Sequence, residues 1–402
     1  MKILALNSGS SSQKSCLFEI GDSLPERPPN PIWEAKIGWN GSKADIEIKT
    51  SAGKTFNDQV RVTSRRHALE HLFRSLWEGD VPIVEKPSEI HVVGHRIVLG
   101  QQKFEEPVIV NHEVKHAIAD ASVFAPLHNR AELEGIEIME RLMGNIPQVA
   151  VFDTAFHHRI PPAAAVYPGP YEWFERGIKR YGFHGINHHY CAHRAAQMLE
   201  KPLNSLRLVS CHLGNGCSLA AIRHGRSVDT TMGFTPLEGL MMGTRSGSVD
   251  PSILTYLMRQ KRTDAQELDQ LLNHESGLLG ISGISSDMRE VLKAKESGNQ
   301  RAKLAFECFV HRLRSGIGAM VAALGGLDAL IFTAGIGENS RDVRSAACES
   351  FGYLQLKLDS VKNDGSAVDE DIATKDSRVR VLVIRAHEDW AIARECWRMV
   401  SR

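Results

Sequence analysis

Two stretches carry the residue types of an anion cradle. His212-Leu213-Gly214-Asn215-Gly216 lies between apolar runs at 206–209 and 218–222. Asn7-Ser8-Gly9-Ser10-Ser11-Ser12-Gln13-Lys14 lies between runs at 3–6 and 15–20. Apolar runs around a small polar tip read as β-hairpins. A tip almost free of side-chain bulk lets phosphate approach backbone N–H groups, and its glycines permit the positive φ that turns several of them inward. Lys14 adds a point charge suited to phosphate. A lone Gly-Asn-Gly is usually only a turn. The same plan met in both halves of one chain implies a duplicated domain, a layout in which a nucleotide would lie in the cleft between halves, one hairpin facing it from each side.

Further charged groups follow apolar strands. Arg96 follows 90–93, Asp153 follows 149–152, Gly335 follows 329–333 and Glu388 follows 379–384. In open α/β sheets ligands gather at the carboxyl ends of strands. Phosphoryl transfer needs cations over the oxygens of the moving group, and Arg96, Arg245 and His184 are the candidates. Mg²⁺ keeps most of its waters, so one or two carboxylates suffice to hold it, which nominates Asp153 and Glu388. His184 and His188 have the i, i+4 spacing of zinc ligands, but no further clustered ligands accompany them.

The elements that must position these groups alternate between strand and helix, which makes the class α/β. Asn40-Gly41 between 32–39 and 44–51 marks a hairpin. Apolar residues at helical spacing predict helices over 65–79 and 129–143, the latter stopped by Gly144. Asn187 is read as the cap of a helix running to about 199. Residues 235–250 form a glycine-rich loop. Phe306, Phe309, Leu313, Ile317, Met320 and Leu324 predict a long helix over 300–324, stopped by Gly325-Gly326. Residues 335–339 read as a glycine turn, and a last helix begins near 388. Prolines at 161, 162, 168 and 170 mark an irregular connection and a domain boundary.

Composition sets outer limits. In 402 residues, 48 basic and 48 acidic side chains cancel, which removes the electrostatic case for a nucleic acid or an anionic membrane as partner. Seven cysteines without a Cys-x-x-Cys spacing read as reduced thiols in a cytoplasmic protein. MKILAL is too short an apolar core for a signal peptide, and the apolar stretch 316–337 is broken by Gly325-Gly326 and Asp328, so it reads as a helix end and a strand, not a membrane span.

These residues resemble one family over nearly the whole chain. GHR at 94–96, APLHN at 125–129, VFDTAFH at 151–157, RYGFHG at 180–185, HLGNG at 212–216, TPLEGLMMGTRSG at 235–247, GISGISSDMR at 280–289 and FTAGIGENS at 332–340 are similar to the motifs of the acetate/propionate/butyrate kinases, within the actin-like ATPases. The resemblance implies two duplicated actin-like (ribonuclease H-like) domains flanking a nucleotide cleft. It divides the chain into 1–152 plus 386–402, bearing acyl substrate and metal, and 153–385, bearing the nucleotide and the dimer contact. It implies Mg²⁺-dependent (or Mn²⁺-dependent), direct in-line transfer between ATP and acetate, giving acetyl phosphate and ADP, in a homodimer. By motif, Asn7 and Glu388 serve the metal and Lys14 serves ATP. Arg96 holds the carboxylate substrate, with Val98, Leu127, His128, Phe183 and Pro236 around it. Asp153, His184 and Arg245 are catalytic. His212, Leu213, Gly214, Asn215 and Gly216, then Asp287, Met288 and Arg289, then Gly335, Ile336, Gly337, Glu338 and Asn339 hold the nucleotide. Taken alone, Asp287 and Arg289 read equally well as a helix-start pair.

An acetate oxygen is already nucleophilic at neutral pH, which favours metal or substrate positioning over proton transfer for Asp153. Val98 leaves less room than an alanine, so acetate is expected to be preferred over propionate, with propionate still turned over. A sugar kinase would need a pocket rich in hydroxyl partners, and a non-catalytic actin-like protein would not need both arginines. The chain departs from the family's pattern in several places. INHH follows RYGFHG in place of Thr-Ser-His, Arg130 follows APLHN, and IVLGQQ follows GHR. Ser248 stands where Asp is usual, Met288 lies beside the adenine position, and His387-Glu388-Asp389 replaces Asn-Glu-Glu.

Overall fold

The computed structural model describes the chain apart from residues 10–11, 41–42, 62–63, 80–81, 101–102, 123–125, 262, 366–367 and 402, and apart from the side chains of 40, 126–128 and 261. Two compact units result: Met1–Ala155 with His387–Arg402, and Phe156–Ala386. Asp153 and Thr154 therefore lie with the first unit, three residues beyond the expected boundary.

The first unit contains β1 (Lys2–Ser8), β2 (Ser12–Glu19), β3 (Trp33–Asn40), β4 (Lys43–Thr50), β5 (Thr55–Arg61), β6 (Val92–Ile97), β7 (Val108–Ile109) and β8 (Gln148–Phe152), in the order β5-β4-β3-β2-β1-β6-β8-β7. The second contains β9 (Arg207–Leu213), β10 (Cys217–Arg223), β11 (Arg226–Thr230), β12 (Ala329–Thr333), β13 (Glu370–Asp371) and β14 (Arg380–Val383), in the order β11-β10-β9-β12-β14-β13. The runs β3-β2-β1-β6-β8 and β11-β10-β9-β12-β14 follow one plan. Each starts with an antiparallel three-strand meander and continues with two parallel crossovers. This is the duplication that the twin hairpins implied, and the class is α/β as expected.

Both predicted hairpins form. Asn7 pairs with Lys14 and Ser8 with Gln13 across the first, whose tip residues Ser10 and Ser11 lie outside the described residues. Leu213 pairs with Cys217 across the second. The helix Gln300–Leu324 begins where Asn299 accepts the N–H of Ala302 and ends at Gly325, whose φ of 67° a residue with Cβ adopts only at a cost. Its apolar stripe packs against β9, β10 and β11.

Four expectations are corrected. The strand predicted over 90–93 runs through Gly94-His95-Arg96 to Ile97, so Arg96 is a strand residue. The helix predicted over 65–79 ends at Arg74. The glycine turn at 335–339 is part of a short helix, Ala334–Asn339. Asn187 does not cap a helix: the helix is Gly185–Met198, its cap is His184, and Asn187 is fully buried inside it.

The helix Glu388–Val400 packs on β1, β6 and β8, and Gly94 lets it approach. A Cβ built at Gly94 would stand 2.4 Å from Cys396 Sγ and 2.6 Å from Ile392 Cγ2. Gly94→Ala is expected to cost about 1–3 kcal/mol through overpacking. Chemical denaturation checks this, and an unchanged midpoint would contradict it.

Candidate active site

In the first unit the polar groups meet at the carboxyl ends of the parallel strands. Asn7 is next to last in β1, Arg96 next to last in β6, and Asp153 directly follows β8. Glu388 opens the last helix. Asn7 Nδ2 donates to Glu388 Oε2 (2.7 Å), Arg96 Nη1 donates to Asn7 Oδ1 (3.3 Å), and Arg96 Nη2 donates to Asp153 Oδ2 (2.8 Å). The four groups predicted separately thus form one chain of hydrogen bonds. The Arg96 side chain is 13% exposed and that of Asp153 0%, so the ion pair is held out of water and each partner depends on the other.

Burial raises Glu388 above the usual carboxylate range; Arg96 pulls against this and the Asp153 charge adds to it. Burial opposes the charge of Arg96, but Asp153 and Glu388 outweigh it and hold the guanidinium protonated. The Arg96 Nε is buried and meets no acceptor among the described residues. A guanidinium with a donor left over is suited to a ligand carboxylate or phosphate.

Lys14 lies across from Asn7, but its Nζ is 2.8 Å from Asp389 Oδ2 and 3.7 Å from Glu34 Oε2. Burial disfavours its charge, and these carboxylates, Asp389 foremost, more than restore it. An ammonium has three donors, so Lys14 can keep Asp389 and still offer an N–H to a phosphate. Val98, just past β6, is buried, and its N–H donates to Glu132 Oε2 at 3.0 Å. Glu132 is a residue the sequence did not single out. Burial pushes its carboxyl up to about 8, against the Val98 N–H and Arg96, which pull it down. The side chains of Leu127 and His128 lie outside the described residues.

A divalent ion suits Glu388. Its carboxylate is buried beside a second one, and a cation would relieve both. Asn7 meets Glu388 through its amide nitrogen, so Asn7 steadies the carboxylate and turns its oxygen to Arg96. Among the described residues no group of three His, Cys, Asp or Glu side chains could hold a metal ion, so water and phosphate oxygens must complete any coordination here.

In the second unit, His184 takes the left-handed conformation (φ 56°, ψ 23°) at the start of its helix, a strained state that the surrounding structure must hold. Its ring stacks on His212, with centroids 3.9 Å apart and planes 12° from parallel. Its Nδ1 is 2.8 Å from Ser218 Oγ, which also lies 2.8 Å from His188 Nε2; His188 Nδ1 is 2.9 Å from Ser210 Oγ. Ser218 has one proton, so it donates to one ring and accepts from the other. Burial, then His157 and His212, hold His188 well below the usual histidine range, so it is neutral.

Arg245 Nη1 donates to the Pro236 carbonyl at 3.2 Å and reaches Met242 Sδ at 3.7 Å. Gly216 adjoins both catalytic candidates: a Cβ there would be 3.4 Å from His184 Nε2 and 3.5 Å from Arg245 Nη1. Gly243 N–H donates to the Asn215 carbonyl, and a Cβ on Gly243 would strike Asn215 Oδ1 at 2.1 Å. The hairpin tip 212–216 and the arginine-bearing loop are therefore one packed structure, brought together from motifs well separated in sequence. Phe183 is buried next to His184.

The two remaining motifs expected to hold the nucleotide are placed more plainly. Asp287 caps the helix Met288–Glu296 by accepting the Arg289 N–H, and its carboxylate also holds the Arg289 guanidinium, which is 85% exposed. Both readings of this pair stay compatible with that geometry. Met288 is buried. In 335–339, Asn339 Nδ2 donates to the Gly335 carbonyl, and Glu338 Oε1 accepts the Ala386 N–H. Buried Arg344 donates to the carbonyls of Gly337 and Glu338 at 3.0 and 2.7 Å. It stabilises the end of that short helix, and nothing in its local sequence distinguishes it from a surface arginine.

A family model described as the Acetokinase family matches residues 2–394. The acetate kinase of Cyanothece sp. is 58% identical over 403 residues, covering 100% of this chain and 99% of the relative. That of Trichormus variabilis is 58% identical over 405 residues and is covered fully in both directions. Among solved structures, the acetate kinase of Porphyromonas gingivalis superposes with a TM-score of 0.92 at 36% identity, covering 99% of each chain. A propionate kinase from Francisella tularensis gives 0.89 at 36% identity, covering 98% of each.

Proposed function

The chain belongs to the acetokinase family, and from that premise we propose that it transfers the γ-phosphoryl group of ATP to acetate, reversibly, giving acetyl phosphate and ADP. The observation that carries this reading is Arg96. Its guanidinium is oriented by Asp153 and Asn7, keeps one buried donor unmatched, and lies two residues from apolar Val98. A fixed cation beside an apolar wall recognises a small carboxylate, not a sugar.

In this reading Arg96 binds the acetate carboxylate and aims one oxygen at phosphorus. Asp153 and Asn7 keep the guanidinium in place, and no proton has to be removed from acetate. His184 and Arg245 bear on the charge spread over the transferring phosphoryl oxygens. The 212–216 tip offers main-chain N–H groups to the nucleotide phosphates, joined by 287–289 and 335–339; Lys14, held by Asp389, contributes a further N–H. Glu388 would hold Mg²⁺ or Mn²⁺, with Asn7 fixing the carboxylate, and the ion would supply charge compensation at the phosphate oxygens.

A homodimer fits the exposed apolar residues Val249, Ile253, Tyr256, Met258 and Leu304 of the second unit. All seven cysteines are thiols, none in a disulfide, and six of them are buried, which suits a reducing cytoplasm. Among the described residues no helix is long and apolar enough to cross a membrane.

Trapping acetyl phosphate with hydroxylamine tests the reaction directly: product is expected with acetate and MgATP and not without acetate. The same assay with propionate is expected to give a lower kcat/KM, and Val98→Ala to shift the propionate-to-acetate ratio upward by about tenfold. A wild-type preference for propionate or butyrate would reject the acyl-pocket reading.

A further inference from the structure

Asn187 is fully buried, and each end of its amide is occupied. Its Nδ2 donates to His212 Nδ1 at 2.8 Å and to Thr333 Oγ1 at 3.3 Å, while its Oδ1 accepts the Cys191 thiol at 3.6 Å. The nitrogen end of the amide is the end that meets His212, and the oxygen end meets the thiol. An amide nitrogen has protons and no lone pair to offer, so it can only donate. His212 Nδ1 is therefore the bare, accepting nitrogen, and the ring proton resides on Nε2.

His212 heads the 212–216 tip and lies face to face with His184, 3.9 Å away. A second proton at His212 Nδ1 would break the Asn187 bond and oppose two N–H groups. Neutral His188 closes the far side of the cluster. Asn187 falls where the family's pattern has serine, so the resemblance does not supply this contact.

We propose that Asn187 is a positioning residue for the nucleotide: it locks His212 as the neutral Nε2–H tautomer, which makes that ring a hydrogen-bond donor to a phosphate oxygen. The proposal rests on reading 212–216 as the nucleotide loop.

Long-range ¹⁵N imidazole spectra of the full-length protein test the lock without any turnover. The wild type is expected to show His212 Nδ1 bare and Nε2 protonated. Asn187→Asp presents only acceptor oxygens when ionised and is expected to move a proton onto Nδ1. Asn187→Leu removes the lock, and ADP affinity, read by calorimetry without acetate, is expected to fall by up to about tenfold, the scale of one hydrogen bond. The KM for acetate should stay within about twofold, since Arg96 is untouched. A protonated Nδ1 in the wild type would overturn the proposal, whatever the variants do. So would an unchanged ADP affinity in Asn187→Leu when His212→Ala weakens it, which spares the nucleotide reading. If His212→Ala also leaves ADP binding intact, both fall together.

Discussion

Arg96→Ala is expected to cut kcat/KM for acetate by about a thousandfold or more, the scale of losing a transition-state cation. Two losses combine. A substrate carboxylate bound there would lose its guanidinium partner, and the buried carboxylates of Asp153 and Glu388 lose the cation that both face. Removing one member of a buried ion pair typically costs about 3–5 kcal/mol of stability, so the unfolding midpoint is expected to fall as well. Arg96→Lys separates the two effects. A lysine restores the charge but not the planar fork. Stability is expected to recover largely while the KM for acetate stays high. Steady-state kinetics in acetate and in ATP, with a denaturation curve for each variant, decides this. An acetate KM unchanged in Arg96→Ala would remove the main support for the proposed substrate.

Arg245→Ala is expected to lower kcat by about 10²–10³-fold with little change in the KM for acetate, because the loss is confined to charge that develops in transfer. The reasoning is geometric. Arg245 is anchored on the Pro236 carbonyl and lies against Gly216 together with His184. A guanidinium and an imidazole flank the same glycine, so a phosphoryl group over that glycine would meet both. A side chain at 216 would fill the space, and Gly216→Val is a second probe of the same point. An Arg245→Ala enzyme with near-normal kcat would show that the loop 235–250 serves packing alone.

The hairpins were legible because apolar runs broken by small polar tips have few other uses, and the helix Gln300–Leu324 was legible because its stripe keeps one period for its full length. Arg96, Asp153 and Glu388 were legible as types at strand ends. That Asn7 links them into one chain was not, because the link spans strands far apart in sequence. The short helix at 334–339 was misread for a tertiary reason: two glycines predict a turn, but Arg344 binds the carbonyls at its end. Asn187 was misread for a related one. Local chemistry favours asparagine as a cap, and here a histidine in a left-handed conformation starts the helix and frees the amide for His212. Glu132 gave no signal at all, since an acidic residue in an amphipathic helix is ordinarily solvated.

The helix that bears Glu388 belongs to the first unit yet is translated only after the entire second one. On the ribosome, the leading sheet must therefore wait with the Gly94 side of β6 uncovered and its carboxylate missing, while the trailing unit emerges and folds. Premature termination anywhere in the later half would leave an open sheet face in search of a partner. Chaperone occupancy of the early intermediate should persist until that returning segment docks on the sheet.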